Sequence, residues 1–161
     1  MSSLSDLQLI YFRVERLFAE YCARIDEGEL ERWPELFVED GCYQMIAREN
    51  YEHGYPIPLV LLDNRGMMED RVYSLRHANI SAAHRYRHAQ SGVRITEQNE
   101  QVIRVSSSYI VARTLDNGET EVYQAGSYYD QLAEENGELK FKERLVVYDT
   151  SRIKTLLATP V

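Results

Sequence analysis

From Tyr86 to Tyr148 the chain is a succession of four strand-length stretches joined by short polar links, and this run limits the fold more than any other feature. The stretches are Tyr86 to Thr96, Gln101 to Leu115, Glu119 to Leu132 and Leu139 to Tyr148. Two of the links are Asp116-Asn117-Gly118 and Glu135-Asn136-Gly137. Asn-Gly takes positive φ readily, which two-residue hairpin turns require. Strands joined this tightly pair antiparallel with their sequence neighbours, so the run reads as a meander. In the second strand Ile103, Val105, Tyr109 and Val111 are assigned to one face; in the fourth, Leu139, Phe141, Leu145 and Val147 are.

The first half has a different period. Leu7, Ile10, Val14, Leu17, Tyr21 and Ile25 recur at spacings of three and four, the apolar stripe of an amphipathic helix. Ser5-Asp6-Leu7-Gln8 reads as its capping box, and Asp26-Glu27-Gly28 ends it. A second, shorter helix is expected from Glu29 to about Phe37, with Pro34 early enough to be tolerated. Cys42 to Ala47 reads as a short strand and Asn50 to Asp63 as a loop. Arg65 to about Ala78 regains helical spacing, with Asp63 or Asn64 as its cap. Helices followed by an antiparallel meander make an α+β fold, with the helices packed on one face of a curved sheet. With 161 residues and no linker or repeat, the expectation is one domain spanning 1–161.

The formal charge of −8 disfavours a phosphate backbone as partner, so no nucleic acid is expected. No apolar run has the length of a membrane span, and the polar N-terminal residues do not form a signal peptide. Cys22 and Cys42 stand in no C-x-x-C arrangement, which fits a reducing, cytoplasmic compartment. Tyrosine is abundant, 12 against 4 Phe and 1 Trp. Tyrosine suits half-buried sheet faces and interfaces, having an apolar body and a polar tip.

A Rieske [2Fe–2S] centre needs two cysteines on one iron and two histidines on the other. The corresponding C-x-H and C-x-x-H pairs do not occur here. Nor do a phosphate loop, a G-x-S-x-G elbow or an H-E-x-x-H helix. The reading is therefore no catalytic residue, no cofactor-binding residue and no metal ligand in this chain. The best metal alternative is His84 and His88 with His77 or Asp70, a two-histidine-plus-carboxylate set. Arg85 and Arg87, within His84-Arg85-Tyr86-Arg87-His88, count against a dication there. With Arg71 and Arg76 the same segment is the one local basic cluster. It reads either as a docking surface for an acidic partner or as salt bridges to Glu69, Asp70 or the first helix. Asp26 is read as a helix-end residue bonded locally; the alternative is an inward-facing acid that meets Tyr43 and a histidine in an acid–base pocket.

The stretch from Phe18 to Asp26, the stretch from Trp33 to Tyr43, Arg65-Gly66-Met67-Met68-Glu69-Asp70-Arg71, His84 to His88, and Glu143-Arg144-Leu145-Val146-Val147-Tyr148-Asp149-Thr150 together resemble the small (β) subunits of bacterial aromatic-ring-hydroxylating dioxygenases, within the nuclear-transport-factor-2-like superfamily. The resemblance implies a cone of curved antiparallel sheet around helices. It also implies β–β contacts in a trimer and an α3β3 hexamer with a large α subunit. The α subunit would carry the Rieske [2Fe–2S] cluster and mononuclear iron, with electrons from NAD(P)H through a reductase. The middle segment around His84 to His88 is similar to subunits for aromatic acids such as terephthalate, salicylate, anthranilate and benzoate. Under this reading the chain is a non-catalytic assembly subunit, and Asp70, Arg71, His84, Arg85, Arg87 and His88 are its expected subunit-interface residues. The competing expectation is a stand-alone isomerase or dehydratase of the same superfamily.

Overall fold

The computed structural model describes residues 4–78, 84–149 and 159–161. Helix α1 spans Leu4–Asp26 and is followed by two single 3₁₀ turns, Leu30–Arg32 and Pro34–Leu36. Strand β1 is Phe37–Ala47, α2 is Arg48–Glu52, β2 is Val60–Leu62 and α3 is Arg65–Ala78. The meander follows as β3 (His84–Gln98), β4 (Ile103–Leu115), β5 (Thr120–Glu135) and β6 (Glu138–Tyr148). One six-stranded sheet results, in the order β2-β1-β6-β5-β4-β3. Every neighbouring pair is antiparallel except β1 and β6, which run parallel because the chain crosses through α3 between them. The α+β architecture expected from the sequence is the one observed, a curved, unclosed sheet with the helices on its inner side.

Val14, Leu17, Phe18, Tyr21 and Ile25 of α1 are buried, each contributing about 2 kcal/mol of apolar transfer free energy. Leu7, expected on this inner stripe, is exposed, as are Leu4, Tyr11 and Phe12. Ser5 lies inside α1 rather than capping it, since the helix already includes Leu4. The helix expected over Glu29 to Phe37 is instead the pair of 3₁₀ turns, with Pro34 opening the second. Leu30, Trp33 and Leu36 still reach the core from these turns. Trp33 meets the rings of Phe37 and Tyr43 edge-on at 5.4 and 5.3 Å. The stretch read as a loop contains the short α2 and β2. Asn64 caps α3, its Oδ1 accepting the Met67 N–H at 2.9 Å.

The turn at Asn136-Gly137 has φ of 53° and 79°, the positive pair that a tight hairpin demands. Beyond it β6 carries the feature that pattern reading missed. Phe141 pairs with Leu132, but Glu143 pairs with Gln131, so Lys142 is an extra residue in the strand. A bulge shifts every later side chain to the opposite face. Leu145 and Val147, expected beside Phe141, fall on the other face, where Val147 is nonetheless 0% exposed; Arg144, Val146 and Tyr148 turn into the cone. The β4 expectation stands, with Val105, Tyr109 and Val111 in the core and Ile103 packed against it.

Candidate functional site

Side chains alternate along β3, and His84, Tyr86, His88 and Gln90 face inward while Arg85 and Arg87 face solvent. Asp26, at the end of α1, meets this inner row. It accepts the backbone N–H of His88 at 2.8 Å, and its other oxygen lies 2.6 Å from His88 Nδ1. Their side chains are 5% and 1% exposed. The local helix-end role expected for Asp26 is thus replaced by a contact 62 residues away in sequence. The reason is steric: α1 lies along β3, and its last turn points into the sheet. His88 Nε2 is buried without a hydrogen-bond partner.

The set His84, His88, His77 and Asp70 does not converge. His84 Nε2 is 2.7 Å from the Tyr86 hydroxyl, and His88 is held by Asp26. His77 bonds the Tyr73 carbonyl on α3 and stacks on that ring at 3.9 Å, while Asp70 is exposed. Among the described residues no three His, Cys, Asp or Glu side chains are placed to hold a metal ion. The basic cluster also separates. Arg76 pairs with Glu31 at 2.6 Å rather than with Glu69 or Asp70, and its guanidinium lowers the Glu31 carboxyl to about 2.

The acid–base pocket is assembled only in part. Asp26 and His88 meet, but Tyr43 is engaged elsewhere. Its hydroxyl lies 3.1 Å from both the backbone nitrogen and the carbonyl oxygen of Val161. Tyr21 donates to the same carbonyl at 2.7 Å. Burial raises both phenols, Tyr43 to about 12.

Deeper in the cone lies the group that the sequence reading did not single out. Arg144 and Asp130, directly opposite each other on β6 and β5, form two parallel bonds of 2.9 and 2.8 Å. Both side chains are 0% exposed. The guanidinium carbon is also ringed by Phe18, Tyr21, Tyr128 and Phe141, with centroids 3.9 to 5.0 Å away. Burial works against the charge on Arg144, but the Asp130 carboxylate more than offsets this and holds it protonated. A signal existed in the sequence: Arg144 lies within the Glu143-to-Thr150 run that carries the resemblance. Thr150 itself lies outside the described residues.

The two thiols do not resemble cluster ligands. Cys22 faces Gln90 at 3.9 Å and Cys42 faces Asp63 at 4.0 Å. Burial pushes each up to about 11. Thiolate is the reacting form, so alkylation by iodoacetamide at pH 8 is expected to run about a hundredfold slower than for free cysteine. Mass-spectrometric labelling kinetics check this, and labelling of either residue at the free-cysteine rate would refute it.

The family model described as ring hydroxylating beta subunit matches residues 22–155. The small subunit of anthranilate 1,2-dioxygenase from Burkholderia cepacia is 44% identical over 161 residues, covering all of both chains. A terminal oxygenase component β subunit of terephthalate 1,2-dioxygenase from Comamonas sp. is 32% identical over 158 residues, 98% of this chain and 99% of that one. Among solved structures, the beta subunit of a protein assigned as an aromatic-ring-hydroxylating dioxygenase, from Novosphingobium aromaticivorans, superposes with a TM-score of 0.89 at 40% identity. It covers 96% of this chain and 99% of its own. Sequence blocks, cone-shaped fold and full-length similarity agree, and the chain belongs to the ring hydroxylating beta subunit family.

Proposed function

We propose that this chain is the β subunit of a multicomponent oxygenase that hydroxylates an aromatic carboxylic acid, of the terephthalate, salicylate, anthranilate or benzoate class. Its contribution is assembly: with a large α subunit it forms an α3β3 hexamer, the β chains meeting as a trimer. The Rieske [2Fe–2S] cluster and mononuclear iron belong to the α subunit, and NAD(P)H supplies electrons through a reductase. The observation that carries an assembly role is apolar surface left outside. Leu4, Leu7, Tyr11 and Phe12 on α1 are exposed, and so are Tyr55, Ile57, Leu59 and Leu61 around β2. Contiguous exposed apolar side chains mark interaction surfaces. A cytoplasmic location suits a protein with two unpaired thiols. Among the described residues no helix is long and apolar enough to cross a membrane.

Of the six candidate interface residues, Asp70, Arg85 and Arg87 are exposed and serve as direct contacts. Arg71 and His84 are half-buried and the His88 side chain is buried against Asp26; these three shape that surface from behind. Co-expression with the α subunit tests the assignment. Light scattering is expected to give a six-chain complex with equal numbers of the two chains. An α subunit that assembles and turns over fully without this chain would sink the proposal. Within that complex, the double substitution Arg85→Glu and Arg87→Glu is expected to lower co-purified α subunit about tenfold, leaving the melting temperature of the lone chain unchanged. Undiminished recovery would remove these arginines from the interface.

One observation favours a second reading, an acid–base isomerase or dehydratase: the buried Asp26–His88 pair. Turnover by the lone chain of a substrate that loses water or shifts a double bond would favour it.

A further inference from the structure

Two buried phenols on different elements converge on one oxygen. Tyr21 comes from α1 and Tyr43 from β1; they are 0% and 1% exposed. Their hydroxyls lie 2.7 and 3.1 Å from the Val161 carbonyl oxygen, and the Tyr43 hydroxyl also accepts the Val161 N–H at 3.1 Å. A pair of buried O–H groups aimed at a single acceptor is the geometry of a carbonyl or carboxylate receptor. The Val161 side chain is 1% exposed and belongs to the hydrophobic core. Residues 159–161 therefore present an apolar branched body and one strong acceptor oxygen, as a small ligand would. The gap left around them by Tyr43, Met45, Val60, Leu62 and Arg71 is only about 10 Å³, too little to admit a water comfortably. Thr159 completes the contact, lying close enough to the Tyr86 hydroxyl to affect its ionisation.

We infer that residues 159–161 occupy a built binding site inside the cone, and that this site takes a small apolar monocarboxylate when the segment is removed. The ligand class follows from the lining. Tyr21 and Tyr43 supply donors at the position of the Val161 oxygen. Beside Thr159 and Pro160 the wall is Tyr43, Arg71, Met45, Val60 and Leu62. A carboxylate on a branched aliphatic or single-ring body matches each of these. The segment and the ligand compete for the same donors, so the site is closed in the full chain. The proposal does not rest on the assembly role; of its residues only Arg71 is shared with the interface proposed above.

The test compares the full chain with a variant lacking residues 159–161, using isovalerate and benzoate as probes. Binding is followed by calorimetry and by shifts of tyrosine resonances. The shortened chain is expected to bind with a Kd of about 1 mM, reasonable for so few heavy atoms. The full chain is expected to bind at least about tenfold more weakly. Tyr21→Phe with Tyr43→Phe in the shortened chain should lose about tenfold or more. Equal binding by full and shortened chains overturns the proposal, as does a folded shortened chain that binds neither acid. Where the shortened chain melts below the measurement temperature, either acid at about 50 mM must raise its melting temperature. No rise overturns the proposal equally.

Discussion

Arg144→Ala is expected to be the most damaging single substitution in the chain. It leaves the Asp130 carboxylate buried with no counter-charge, at a site 0% exposed. Removing one partner of a buried, bidentate pair costs about 3–5 kcal/mol. Total stability for a domain of this kind is only about 5–15 kcal/mol, so the fraction lost is large. The four rings around the guanidinium also lose their cation and are left lining a void. The melting temperature should fall by about 10 °C or more. Arg144→Lys should recover part of the loss but not all. A lysine supplies charge and stem, yet cannot make the two parallel bonds to Asp130. The double substitution Arg144→Met with Asp130→Leu separates charge from packing. Replacing both partners with apolar groups removes the desolvation cost together with the attraction, and should return stability to within about 2 kcal/mol of the parent. Thermal and urea unfolding of the set would check this. If Arg144→Ala melted with the parent, the pair would have no part in holding the cone together.

Gly126→Ala is expected to follow closely, for a reason with no charge in it. Gly126 sits on β5 opposite Tyr148 of β6. A Cβ built there would lie 2.0 Å from the Val147 carbonyl oxygen and 2.9 Å from Tyr148 Cα. Both are backbone atoms of the neighbouring strand, so no rotamer change relieves the overlap. Overpacking in a tolerant core costs about 1–3 kcal/mol. Here the strands themselves must separate, so the cost should reach the upper end, about 3 kcal/mol, or a fall of about 6–12 °C in melting temperature. Gly28→Ala is the control. A Cβ there meets nothing within 4 Å, and only its positive φ of 78° is unfavourable. An equal effect at the two positions would show that conformational freedom, not close approach of the strands, is what Gly126 provides.

These two positions show where a sequence reading reaches its limit. Arg144 looks like any surface arginine between Glu143 and Leu145, because strand alternation from Phe141 puts it outside. The bulge at Lys142 reverses that, and a bulge leaves no mark in the residue pattern. Gly126 lies within a long strand with no turn residue beside it. Its requirement comes from the close approach of the Val147–Tyr148 backbone of β6, not from its own φ. Likewise the sequence offered a salt bridge from the His84-to-His88 segment to the first helix, and Asp26 with a histidine, only as open alternatives, and could not say which residues meet. The contact between Asp26 and His88 exists because α1 packs along the edge strand β3, and no spacing rule connects residues on two such elements.

The sequence by itself determined the class of fold. Period-3.6 apolar spacing gave α1 and α3, and strand alternation with Asn-Gly turns gave the meander, because these signals are local and each element carries its own. It also determined the family, through blocks spread over nearly the whole chain. The tertiary structure alone decided which face of β6 is inside, which tyrosines meet Val161, and which charged groups are buried together. It also separated the six candidate interface residues, sending Arg85 and Arg87 to solvent and His88 onto Asp26. The physical reason is common to all of these. They depend on register and on the approach of elements distant in sequence, and a one-residue slip in either exchanges the inside of the cone for the outside.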